Sequence, residues 1–223
     1  MDVARRPRAF VRVAGPDAQD YLQRMVSNDV DALAVGDSCP ALLLTAKARL
    51  IAPLVVWRRG EDDYLLLTEP ELGDAVRSNL TRMRLRARCE IEPEEHDSVL
   101  AFGGDGIATD FPGAVELLDA GIEPTLSDDD LELRRIEAGV PRWGRELDDR
   151  VLPAEAGLDE THVSFTKGCY PGQEPIARIH YRGHVNRRLQ VVELGEDTAV
   201  ERVTSQARRP DGTVVALAYV RAR

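Results

Sequence analysis

The residues best able to do chemistry stand together in one run, Lys167-Gly168-Cys169-Tyr170-Pro171-Gly172-Gln173-Glu174-Pro175-Ile176-Ala177-Arg178, followed by Arg182-Gly183. The glycines and proline around Cys169 predict a tight turn, and Gly172-Gln173-Glu174 reads as the first turn of a helix. Pro175 is tolerated there because early helical N–H groups have no intrahelical partner. A thiol held just before a helix start, with Lys167 two residues away, meets two influences that favour the thiolate. The thiolate is the nucleophilic and metal-seeking form of cysteine. The plainer alternative is a cysteine that only fills a turn, and local chemistry leaves both open.

His180 and His184 are four apart, which suits a metal pair on a helix. Gly183 lies between them, however, and reads as a helix end. A zinc site with Cys169, or a Cys–His pair, lacks an orienting third group, so no permanently bound metal is expected. Glu137, in Arg135-Ile136-Glu137-Ala138-Gly139, closes a short helix. Its two oxygens match paired N–H donors such as those of a 2-amino-4-oxo pterin ring. A solvated helix glutamate is the commoner state of such a residue.

These groups need a scaffold, and the pattern predicts an α+β one. Phe10–Val13 alternates as a strand. Asp17 is the expected N-cap of a helix from Ala18 to about Ser27. Pro40–Trp57 predicts two strands joined by a tight turn near Lys47-Ala48-Arg49, and Tyr64–Thr68 a third. Pro70 opens a helix to about Met83. Leu85–Glu92 alternates as a strand with Cys89 on its apolar face, and Val99–Phe102 reads as another. Residues 103–124, rich in Gly, Pro and Asp, give no clear element. Ser127 caps an acidic first turn, and Gly139 ends that helix. The segment 141–168 reads as loop. Leu189–Leu194 reads as a strand, and Asp211-Gly212 as a hairpin turn. Two domains are expected, 1–186 and a small C-terminal β subdomain over 187–223.

The 223 residues carry a formal charge of −10, with 39 acidic against 29 basic side chains. Such a surface repels phosphate backbones, which argues against a nucleic-acid partner despite Arg182, Arg187 and Arg188. No apolar stretch is long enough to span a bilayer, and the N-terminus has no apolar core of a signal peptide. Three sparse cysteines without CxxC spacing point to a reducing cytoplasm.

The Lys167–Glu174 run, with Ala177, Arg178, Arg182 and Gly183, resembles the signature of YgfZ-like folate-binding proteins. These share the fold of the glycine-cleavage aminomethyltransferase, GcvT. Arg135–Pro141, Leu152-Pro153-Ala154-Glu155-Ala156-Gly157 and Val13–Ala18 through Asn28-Asp29-Val30 are similar to family segments in the same order. The resemblance implies a GcvT-like folate-binding fold with a contracted middle region and a tetrahydrofolate ligand. It implies a role in assembling or repairing iron–sulfur clusters, with Cys169 and Lys167 at the reacting centre and iron–sulfur client or assembly proteins as partners. By the same resemblance Glu137, Tyr170, Gln173, Glu174 and Arg178 are the folate-binding residues.

The glycine-cleaving relatives carry an acidic Asp-Asp-Leu stretch where this chain has Leu50-Ile51-Ala52-Pro53-Leu54. Without that acid–base group, worth about 10²–10⁴-fold, ordinary aminomethyl transfer is not expected. Tetrahydrofolate-dependent one-carbon transfer to another acceptor stands as the alternative activity. Leu131 takes the place of an aromatic residue in some relatives.

Overall fold

The computed structural model describes residues 1–195, 200 and 202–222. In chain order these are β1 (Asp2–Arg5), β2 (Ala9–Ala14), α1 (Ala18–Met25), β3 (Ser38–Leu44), β4 (Leu50–Gly60) and β5 (Asp63–Thr68). Then follow α2 (Gly73–Met83), β6 (Glu90–Glu94), β7 (Ser98–Phe102), β8 (Ile107–Ala108), β9 (Ala114–Leu118) and α3 (Asp128–Glu137). The chain closes with α4 (Gln173–Arg182), β10 (Arg187–Glu193), β11 (Arg202–Arg208) and β12 (Val214–Arg221). Their antiparallel pairing builds three sheets, ordered β3-β4-β5-β2-β6, β1-β7-β9-β8 and β10-β12-β11.

The five-stranded sheet is buried on both faces, which explains the near-continuous apolar runs of β3 and β5. Side chains alternate across a strand. Leu43 and Leu66 therefore face the core under α1 and α2, with Tyr21, Leu22, Val76 and Leu80. Leu65 and Leu67 face the opposite way, onto Phe10 and Ile107. Leu42 and Leu44 meet Tyr170, Ile176 and Tyr219, so the cysteine-bearing segment and the C-terminal sheet close one end of this second face. The C-terminal sheet also packs Val215 and Leu217 on Ile136 of α3.

Charged groups join the first two sheets. Arg8, just ahead of β2, donates from Nε and Nη2 to the Glu116 carboxylate on β9 at 2.8 and 3.0 Å. Ser98 Oγ adds a third bond at 2.9 Å. At the surface, the His96 ring lies 2.6 Å from Asp119 through Nδ1 and 2.9 Å from Glu94 through Nε2. Partial burial opposes the charge on His96, but bonds to Asp119 and Glu94 outweigh it and raise its pKa above the ordinary 6.5. The imidazolium therefore stabilises the fold fully at low pH, and that contribution is lost as pH rises through the raised value. His96→Asn is expected to remove this contribution to the fall in melting temperature as pH rises past the ordinary imidazole value. An unchanged pH profile in the variant would sink the assignment.

Three expectations are corrected. Asp17 precedes α1 but makes no side-chain cap bond. Its carboxylate instead accepts from Arg88 N, Nε and Nη2 at 2.8, 3.0 and 2.8 Å. Arg84–Cys89 is a turn and irregular segment, and the strand begins only at Glu90. Leu85 there takes a left-handed φ of 49° and is 86% exposed, so the alternation does not mark a buried strand face. Within 103–124 lie two short strands, β8 and β9. The capping box of α3, in contrast, forms as read, with Ser127 Oγ accepting from Asp130 N.

Candidate functional site

The Cys169 turn is held by what lies beneath it. Gly172 caps α4 with φ 84°, a left-handed value that side chains rarely adopt. A Cβ there would stand 2.7 Å from Thr45 O and 3.1 Å from Ala48 Cα, so the turn sits directly on the β3–β4 hairpin tip. Tyr170 is buried in the core on one side. Cys169 is exposed between these two anchors. The other thiols are not equivalent. Burial pushes Cys39 up to about 12, and burial likewise raises Cys89, so neither is a ready nucleophile.

Lys167 is turned inward. Its Nζ donates to the carbonyls of Gln23, Val26 and Asn28 at 2.6, 2.7 and 2.7 Å, which gathers the last turn of α1 and the chain beyond it. Burial lowers its pKa to about 8, so the ammonium persists at neutral pH. A cation at a helix C-terminus satisfies carbonyls that have no intrahelical donor. Its three protons are thus committed to the backbone. Lys167→Met strands buried acceptors, and a loss of about 2–3 kcal/mol is expected. Denaturant titration checks this. A stability within 0.5 kcal/mol of the parent would show the cap to be dispensable.

Beside the turn lies a hollow of about 650 Å³, and Pro171 forms part of its wall. Met25, Leu44, Ile51 and Met83 make it largely apolar, while Ser78, Asn79 and Arg82 of α2 supply the polar groups. Ligand sites of this size are commonly apolar with a few placed polar groups. Ile51 belongs to the segment that lacks the carboxylate, and no acidic side chain lines this hollow.

The remaining sequence-named residues separate. Glu137 is exposed on the last turn of α3, and its Oε1 accepts from Arg209 Nε at 2.6 Å. It faces the C-terminal hairpin and does not line the hollow beside Pro171. Tyr170 belongs to the core, with the Lys167 ammonium 5.4 Å from its ring centroid. Glu174 and Arg178 are exposed on α4 and Gln173 is half-buried, all outside the hollow wall. His180 stacks on Phe165 with ring centroids 3.8 Å apart. Among the described residues no group of three or more His, Cys, Asp or Glu side chains is placed to hold a metal ion. No helix among them is long and apolar enough to cross a membrane. Sequence reasoning missed Ser78, Asn79 and Arg82; their one signal was shared placement on a face of α2 away from Val76 and Leu80.

No protein-family model matches the chain. The tRNA-modifying protein YgfZ of Pectobacterium carotovorum is 25% identical over 93% of this chain and 76% of its own length. An iron–sulfur cluster assembly factor IBA57 homolog, mitochondrial, from Neurospora crassa is 24% identical over 82% of this chain. The chain spans about half of that relative, 51% of its length. Over most of its length the chain is similar to these YgfZ and IBA57 proteins. The aminomethyltransferase T of the glycine cleavage system from Bartonella henselae superposes with a TM-score of 0.76, covering 96% of this chain and 76% of that one. At 19% identity that likeness shows the fold, and the chain has the α+β, GcvT-like architecture expected from its sequence.

Proposed function

We propose that the protein binds a tetrahydrofolate in the hollow beside Pro171 and assists assembly or repair of iron–sulfur clusters through Cys169. The observation carrying this reading is the pairing of an exposed thiol with a ligand-sized hollow, two residues apart along one rigid turn. The wall fits the ligand class. Met25, Leu44, Ile51 and Met83 would flank a flat ring, Ser78 and Asn79 offer hydrogen bonds to its polar edge, and Arg82 suits a carboxylate. When bound, tetrahydrofolate supplies a carrier for one-carbon units.

Cys169 would act as the group that reaches a client. A thiolate ligates iron and exchanges with other thiols, and both need the sulfur at the surface. The cluster is cargo here, delivered to or repaired on another protein. The name of the IBA57 relative, an iron–sulfur cluster assembly factor, supports this reading. Aminomethyl transfer is less favoured, because no carboxylate lines the hollow to move the proton at the folate nitrogen.

Calorimetric titration with folinic acid tests the ligand. Saturable binding is expected for the parent protein, and Ser78→Trp, which fills the hollow, should abolish it with the fold intact. Absence of binding by the parent, or full binding by the filled variant, would refute the site.

A further inference from the structure

A second hollow of about 680 Å³ adjoins the first, and Met25 and Met83 belong to the walls of both. Tyr21 and Leu85 extend its apolar lining, and Arg84 and Arg86 flank that leucine. Leu85 is 86% exposed, more than any other large apolar side chain among the described residues, and its φ is 49°. A bulky residue is strained in that left-handed region. Folding therefore loses twice by placing leucine there, once in backbone strain and once in apolar surface left in water. An exposed apolar anchor beside a hollow is instead the mark of a surface that another molecule covers.

The charges around the hollow say what covers it. Arg24 is paired with Asp20, and Asp17, the acid of this hollow, is held by Arg88. Arg84 and Arg86 have no carboxylate partner within 4.0 Å among the described residues, although acids outnumber bases in the chain. Arg84 spends one donor on Cys89 O at 3.0 Å and keeps the rest. Free guanidiniums beside an apolar floor call for an occupant that is apolar on one face and bears carboxylates at its edge. A second copy of this chain carries the same −10 and is repelled as a whole. A bilayer surface would meet Leu85 but leave the concave floor at Tyr21 and Met25 unfilled. We infer that this hollow docks an acidic amphipathic helix of another protein, its apolar face on Met25, Met83 and Leu85 and its carboxylates on Arg84 and Arg86. Flexible methionines suit such a groove, because they adapt to the side chains laid into it. Neither a folate nor Cys169 is needed for this docking.

Fluorescence anisotropy with a labelled synthetic helix of about 18 residues, leucines along one face and glutamates beside them, tests this without any folate present. Two control peptides replace the glutamates by lysine or scatter the leucines around the helix. The acidic amphipathic peptide should bind about tenfold more tightly than either control at low salt, and its margin over the lysine form should shrink as screening increases. Arg84→Ala/Arg86→Ala should cost about tenfold in affinity, and Arg86→Glu, at an exposed position, guards against misfolding of the double variant. Leu85→Asn should weaken binding about fivefold yet hold or raise the melting temperature, because asparagine enters the left-handed region more readily. A fall in melting temperature in that variant would make the leucine a structural residue and overturn the inference. Equal binding of the three peptides overturns it too. Pelleting with phosphatidylglycerol vesicles but no peptide preference would assign the surface to a membrane. A dimer in sedimentation that the arginine variants dissolve would assign it to a second copy, and either result refutes the docking of another protein.

Discussion

Cys169→Ala is expected to fold normally and to fail in cells that lack their own such protein. Cys169 is exposed and makes no core contact, so its removal should move the melting temperature by no more than about 2 °C. The thiolate is the only group in that turn able to ligate iron or exchange with a thiol, so rescue of an iron–sulfur enzyme should drop by about tenfold or more. Folinic acid binding should persist, since the sulfur does not line the hollow. A variant that rescues as well as the parent protein would remove the thiol from the mechanism. Loss of folate binding together with rescue would instead make Cys169 part of the ligand site.

The largest stability effect is expected at Glu116. Its side chain is fully buried, the Arg8 side chain is 4% exposed, and the two form a bidentate pair between two sheets. Glu116→Ala leaves a buried guanidinium with only Glu69 and Asp110, at 3.7 and 3.8 Å, neither in the same fork geometry. Breaking one side of such a pair costs about 3 kcal/mol or more, roughly a 10 °C fall in melting temperature for a chain of this length. Arg8→Met/Glu116→Leu should recover most of that, because an apolar pair avoids the desolvation of two charges. A single variant within 1 kcal/mol of the parent would show that this junction carries little.

The elements read correctly from sequence are those decided by neighbouring residues. Ser127 and Asp130 close their capping box three residues apart, and Asp211-Gly212 turns the last hairpin with Gly212 at φ 92°. The β3–β4 hairpin declares itself through two apolar runs and a tight tip. What was hidden depends on distant partners. β1 has four residues, two of them charged, and exists because β7 pairs with it. β8 has two residues and leans on β9. Leu85 belongs to an alternation that imitates a strand, yet nothing pairs with its backbone there, and the chain instead turns.

The site was legible in the same uneven way. The turn residues around Cys169 announced an exposed sulfur, because glycine and proline act locally. The direction of Glu137 was not local, since Arg209 lies 72 positions along the chain. Lys167 was equally opaque, its carbonyl partners being 139 to 144 positions away. The hollow is assembled from α1, β3, β4, α2 and the Pro171 turn, so no single stretch of sequence outlines it.

The seat of Gly172 on the hairpin tip has a practical corollary. Thr45, whose carbonyl would meet any side chain at position 172, also lines the hollow. Interiors packed this tightly shift as units rather than deform locally. Whatever fills the hollow and nudges that tip therefore moves the sulfur too, and the speed at which an alkylating dye labels Cys169 becomes a gauge of occupancy.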